Sequence, residues 1–174
     1  MPATTASGHA ERMHSELKKE SVKEALQACV TLSRYHYTPN PDLFLLGERW
    51  ITRAERSVAS VRRFVRDTAG DWDAFGDAPE IAELLVSELA TNAMAYGTAD
   101  APARNVIRVT VGKLGALLVV DVYDSCVEIP RMRRPSDLET SGRGLSIVED
   151  LSHNWGWTLN PYGKSVWFQL LAWP

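Results

Sequence analysis

The chain has little that would tie it to an oxidising compartment, a membrane or a nucleic acid. Its 174 residues include two cysteines, Cys29 and Cys126. They are far apart and in no metal-type spacing, so they read as reduced thiols of a cytosolic protein. No apolar run approaches the ~20 residues that a spanning helix needs, and residues 1–7 lack the apolar stretch of a signal peptide. Positive charge is not in excess: 19 Lys and Arg against 22 Asp and Glu leave a net charge of −3. Phosphate backbones select basic surfaces, so direct nucleic-acid binding is not expected. Internal repeats and low-complexity tracts are also missing. These absences leave a cytoplasmic globular protein, and 45% hydrophobic with 24% charged residues is ordinary for one.

Proline and glycine mark the organisation. The Pro39-Asn40-Pro41 break separates residues 1–41 from the rest, because each proline disfavours helix at the residue before it. Before that break Met13, Leu17, Leu26, Cys29 and Val30 recur at roughly helical spacing, which predicts a helix over 10–32 within an N-terminal extension. The main domain is predicted over 42–174. It opens with a short apolar strand at 43–46 and a helix over 52–69, in which Arg53, Arg56, Arg62 and Arg66 read as a solvated face. A second helix is predicted over 78–96, with Asp77 as N-cap and Gly97 ending it. Alternation over 105–111 and the apolar run 116–124 form a hairpin. A polar, proline-bearing connection over 127–141 follows, then a helix over 143–152 and a last hairpin around residues 160–163. The order predicts an α+β fold: a two-layer sandwich with helices on one face of a mixed, mostly antiparallel sheet. The six tryptophans read as core and sheet-edge packing.

Within the second helix, Glu88 and Asn92 stand one turn apart and on the side of Ile81, Leu84 and Leu85. A carboxylate and a carboxamide there are costly unless something polar meets them. A divalent cation and an attacking hydroxyl would satisfy both. Asp124 ends the third strand in phase with Leu118, Val120 and Val122, where a carboxylate can accept a hydrogen bond from an exocyclic amine. The turn Ser141-Gly142-Arg143-Gly144 runs straight into the periodic Leu145, Ile147, Val148 and Leu151. Glycines there allow close backbone approach, and the N–H groups of a helix start favour an anion. Each signal alone has a plainer reading: a polar helix patch, an Asp-Ser turn, a glycine-containing helix start.

In this order they form a set. Glu88-Leu-Ala-Thr-Asn92, Asp124-Ser125-Cys126, the proline-bearing connection, Gly142-Arg143-Gly144-Leu145 and Gly163-Lys164-Ser165-Val166-Trp167 together resemble the GHKL (Bergerat-fold) ATPases. More narrowly, the set is similar to the bacterial anti-sigma-factor serine/threonine kinases. The resemblance covers residues 43–174 and implies ATP and Mg²⁺ as cofactors. It implies that Asn92 ligates the metal, that Glu88 is the general base, and that Asp124 binds the adenine amine with Ser165 assisting through water. Ser125 would line the same pocket, while Gly142, Arg143, Gly144 and Leu145 would hold the phosphates. The implied partner is an anti-sigma antagonist of STAS type, with a sigma factor as a second partner and a homodimer as the assembly.

The chain departs from the family pattern at Cys126 and Glu128, where many members carry glycine, at Tyr96, often histidine, and at Ser141, often glycine. None of these removes the implied metal ligand or base. A non-catalytic module that sequesters a sigma factor or another regulator is the alternative. A histidine-kinase fragment would need a phosphoacceptor on a long dimerising helix, and His14 lacks the flanking sequence. A P-loop reading of Gly163-Lys164-Ser165 fails, because Thr158 stands where its first glycine belongs.

Overall fold

The computed structural model describes residues 41–95, 106–130 and 143–174. The helix expected over 10–32, the end of the second helix at Tyr96 and Gly97, and most of the polar connection, Gly142 included, lie outside the described residues.

Strand β1 (Phe44–Thr52) is followed by helices α1 (Arg56–Asp71) and α2 (Ala78–Ala95). The hairpin β2 (Val106–Leu114) and β3 (Leu117–Asp124) comes next, then α3 (Gly144–Leu151) and the hairpin β4 (Asn154–Asn160) and β5 (Gly163–Leu171). The strands lie in the order β1-β2-β3-β5-β4. Every neighbouring pair is antiparallel, so the sheet is wholly antiparallel where the sequence allowed a mixed one. β1 is twice as long as the apolar run that announced it. It continues through Glu48, Arg49 and Trp50 to Ile51, so the first helix starts at Arg56 rather than near Thr52.

One core unites the two layers. Ile107, Val109 and Val111 of β2, Leu118, Val120 and Val122 of β3, and Val166, Phe168 and Leu170 of β5 form its floor. Their alternation is what a sheet with one covered face requires. Val61, Val65 and Ala69 of α1, Leu85, Val86 and Leu89 of α2, and Leu145 and Val148 of α3 close it from above. At the hairpin between β2 and β3 the chain turns through Gly115, whose φ of 58° is one that side chains rarely adopt.

The opposite face of the sheet is less polar than its sequence suggested. Arg108 and Thr110 alternate outward as expected, yet both are buried. The Arg108 guanidinium lies over the rings of Trp50 and Tyr123, 5.8 and 5.5 Å from their centroids, an arrangement that favours the cation on both sides. Among the tryptophans Trp173 is in the core, whereas Trp72 and Trp157 are exposed. Among the described residues no helix is long and apolar enough to cross a membrane.

Candidate functional site

Glu88 and Asn92 are half-buried on the flank of α2's packed side. Leu85, Leu89 and Ala93 fill the core beside them, and Leu84, which the sequence placed with the inward row, is exposed. The acid and the amide therefore line the rim of the core instead of its middle. Among the described residues neither side chain meets a hydrogen-bond partner. What faces them is the start of α3. A Cβ on Gly144 would lie 2.7 Å from Glu88 Oε2 and 3.4 Å from Asn92 Nδ2. Only glycine lets α3 begin this close while leaving the acid–amide pair in place.

The start of α3 carries no side-chain cap, and Arg143 occupies the capping position in a helical conformation. Ile147 is the first residue whose N–H bonds back into the helix, to the Arg143 carbonyl at 3.1 Å. The preceding N–H groups have no intrahelical acceptor, as at any helix start, and the helix dipole adds to their attraction for an anion. Leu145 is buried in the core, so its side chain anchors the helix and its backbone is what it can offer a ligand.

A second cluster surrounds the strand-end carboxylate. Asp124 is 1% exposed, in register with Ile107 of β2 and Lys164 of β5. Its Oδ1 accepts the Cys126 backbone N–H at 2.7 Å and Lys164 Nζ at 3.2 Å, with the Arg53 guanidinium 3.8 Å away. Burial pushes the Asp124 carboxyl above its ordinary range; Lys164, the Cys126 N–H and Arg53 oppose that rise. Arg53 also donates to the carbonyl of Ala93, the residue after Asn92. It thereby ties the Asp124 cluster to the α2 turn that carries Asn92.

Two sequence expectations are corrected here. Ser165 does not face Asp124: its hydroxyl donates to Asp121 Oδ1 at 3.2 Å, on the sheet face away from the helices. Strand alternation is the reason, because Ser165 pairs with Tyr123 and it is Lys164 that pairs with Asp124. Arg53 is not on a solvated helix face; it precedes α1 and its side chain is buried against Asp124. One of the two corrections had a signal in the sequence. Lys164 is in phase with Val166, Phe168 and Leu170, an unusual place for a lysine without a buried acid.

Glycine is required once more, at the start of β5. A Cβ on Gly163 would fall 2.1 Å from the Asp124 carbonyl oxygen and 2.9 Å from Ser125 Cα. That close approach packs the last hairpin against the end of β3, beside the half-buried Ser125. Among the described residues no group of three His, Cys, Asp or Glu side chains could hold a metal ion. A cation beside Asn92 would therefore draw most ligands from phosphate and water, which is how Mg²⁺ commonly binds with nucleotides. The Asn92 carboxamide, the Glu88 carboxylate and the N–H groups of the α3 start, which Gly144 brings together, are polar groups of the kind such a cation and its phosphates would meet.

A family model described as a histidine kinase-like ATPase domain matches residues 51–170. The chain belongs to that family. The match runs from the last two residues of β1 to the penultimate residue of β5, in agreement with the GHKL resemblance of its motifs. Among solved structures, the chain is similar to the RsbU and RsbW domains of Rv1364c from Mycobacterium tuberculosis, with a TM-score of 0.52 and 16% identity over 72% of this chain and 32% of that one. It thus spans about a third of that protein's length, and at this identity the likeness is one of fold. Two further matches are the histidine kinase domain of the Erythrobacter litoralis EL346 blue-light activated histidine kinase (TM-score 0.42, 17% identity, 88% of this chain and 74% of that chain) and the Acinetobacter baumannii histidine kinase AdeS (TM-score 0.43, 12% identity, 99% and 86%). No curated protein matches the chain in sequence.

Proposed function

We propose that this histidine kinase-like ATPase domain is a cytoplasmic ATP- and Mg²⁺-dependent serine/threonine kinase of the anti-sigma-factor type. Its substrate is a STAS-like anti-sigma antagonist, and a sigma factor is the second partner of the circuit. The observation that carries the reading is the bare glycine face of Gly144 set against Glu88 and Asn92. Phosphoryl transfer asks mainly for positioning and charge neutralisation. Glu88 takes the proton of the attacking hydroxyl as its oxygen bonds to the γ-phosphorus, and ADP leaves. Asn92 is the residue to hold Mg²⁺, which when bound neutralises charge on the phosphates. Gly142, Arg143 and Gly144, with the backbone of Leu145, hold the phosphates at the α3 start. Asp124, beside Ser125, accepts the adenine amine. Residues 1–41 form an extension outside the kinase domain, and the kinase works as a homodimer.

The reading is tested by transfer of labelled phosphate from ATP to a STAS-domain antagonist, with nucleotide titrations run with and without Mg²⁺. Transfer is expected in the wild type and lost in Glu88→Ala. Asn92→Ala should abolish the Mg²⁺ dependence of binding, and Asp124→Ala should abolish affinity. Transfer that survives Glu88→Ala would remove Glu88 as the base. Partner binding indifferent to Asn92→Ala and to Mg²⁺ would replace the kinase by a sequestering module.

A further inference from the structure

Lys164 and Arg53 are charged side chains in this region that the catalytic reading does not use, and Lys164 is the nearer to Asp124. It is 6% exposed, and its Nζ donates to Asp124 Oδ1 at 3.2 Å and to the Cys126 carbonyl at 3.4 Å. The Cys126 N–H and the Arg53 guanidinium approach the same oxygen. Two donors, from the start of β5 and the loop after β3, thus converge on Oδ1, and the guanidinium at the junction of β1 with α1 adds a third positive group 3.8 Å away. Among the described residues no donor meets the other carboxylate oxygen.

We propose that Lys164 is a specificity-determining residue, which holds Asp124 as a one-sided anionic acceptor and so makes the site select a 6-aminopurine over a 6-oxopurine. The proposal rests on the reading that Asp124 meets the nucleobase. An ionised carboxylate can only accept, so it pairs with an exocyclic amine and repels a 6-oxo oxygen. A protonated carboxyl can donate, and would pair with the 6-oxo group instead. Asp124 lies in surroundings that favour its neutral form, since burial penalises the charge. The groups that face it from the packed elements are Lys164, Arg53 and the Cys126 backbone N–H. Lys164 is the nearest cation, so it decides which form the base encounters. Loss of its charge moves Asp124 protonation to higher pH and erodes the preference for the amine as the solution is acidified.

The test is the ratio of ADP to inosine diphosphate affinity, measured by calorimetry on the full chain between pH 8 and pH 5.5. A ratio of two ligands on one protein is unaffected by a change in the folded fraction. The wild type should prefer ADP by about tenfold, the worth of one hydrogen bond to a charged group, throughout this range. Lys164→Met should match it at pH 8 and lose most of the preference toward pH 5.5, whereas Lys164→Arg should keep the wild-type profile. Should Lys164→Met not fold, Lys164→Gln, uncharged but still a donor, makes the same comparison and should show the same loss. A preference in the uncharged variants that stays flat with pH overturns the proposal and leaves the nucleotide reading standing. Absence of ADP binding by the wild type removes both.

Discussion

Gly144 and Glu88 face each other so closely that a methyl group on the glycine would sit 2.7 Å from the carboxylate oxygen Oε2. The atom met is the end of a flexible, half-buried side chain, so Glu88 can swing away at little cost to the fold. Alanine also suits a helix better than glycine by up to ~1 kcal/mol. Gly144→Ala is therefore expected to leave the urea midpoint within about 1 kcal/mol of wild type in stability. Phosphate transfer should fall by at least about tenfold, because the displaced acid no longer lies where the attacking hydroxyl is to be deprotonated. Denaturant unfolding and labelled-phosphate transfer on the same preparation separate the two effects.

Gly163 should behave in the opposite way. At Gly163 two of the three atoms in the path of a Cβ belong to backbone, the Asp124 carbonyl and Ser125 Cα, and neither can rotate aside as the third, the Tyr123 hydroxyl, could. Gly163→Ala must push β5 from the end of β3 and separate Lys164 from Asp124. A loss of more than about 2 kcal/mol is expected, as for other changes that break a packed interior. Thermal and urea unfolding measure it, and a stability equal to wild type would contradict the close approach.

Much of this was legible in the sequence, and the reasons differ by element. The hairpin of β2 and β3 was plain because Ile107, Val109 and Val111 alternate and the run from Leu117 to Val122 returns with Asp121 as its single polar residue. That Gly144 would lie against Glu88 and Asn92 was foreshadowed by residue types that are rare on a packed flank and at a helix start. β1 was hidden beyond Leu46, since an edge strand can carry Glu48 and Arg49 and so lacks the apolar signature that marks interior strands. Arg53 was misread for the same reason: once the helix was extended back over the end of β1, its arginine was counted with the solvated ones. Ser165 failed by one residue of parity, and in a strand one residue is the other face of the sheet.

Arg53 offers the next prediction. Its guanidinium faces Asp124 Oδ1 and donates to the Ala93 carbonyl, and both are away from water. Arg53→Met keeps the length of the side chain and removes the charge and the donors. Breaking a buried pair costs up to ~3–5 kcal/mol when a charge is left uncompensated. Here Lys164 still accompanies Asp124, so a loss of about 2 kcal/mol is expected in urea unfolding. Asn92 should lose register as well, seen as weaker Mg²⁺ dependence of nucleotide binding. A variant as stable as wild type would mean that Arg53 is not a tie between β1, α2 and Asp124.

Asp121 carries a pH signature separable from all of these. Burial raises its carboxyl from an ordinary 3.8 to about 6, against the pull of Arg108 and the Ser165 hydroxyl. A carboxyl with a raised folded-state pKa binds its proton more tightly in the native than in the unfolded chain. Its contribution is thus most favourable below pH 4, declines as pH rises from about 4 to about 6, and is a constant cost above that. Asp121→Asn mimics the protonated form and keeps an acceptor for Ser165. It is expected to stabilise the protein at pH 7.5 by on the order of 2 kcal/mol, since each tenfold change in proton affinity is worth ~1.4 kcal/mol. The gain should shrink as the pH is lowered and vanish near pH 4. Thermal unfolding of both proteins between pH 4 and pH 8 reads this directly, with other carboxylates cancelling in the difference. A gain that grows toward acid would mean that Asp121 is held ionised by Arg108 and that the pair on the outer sheet face is a stabilising one.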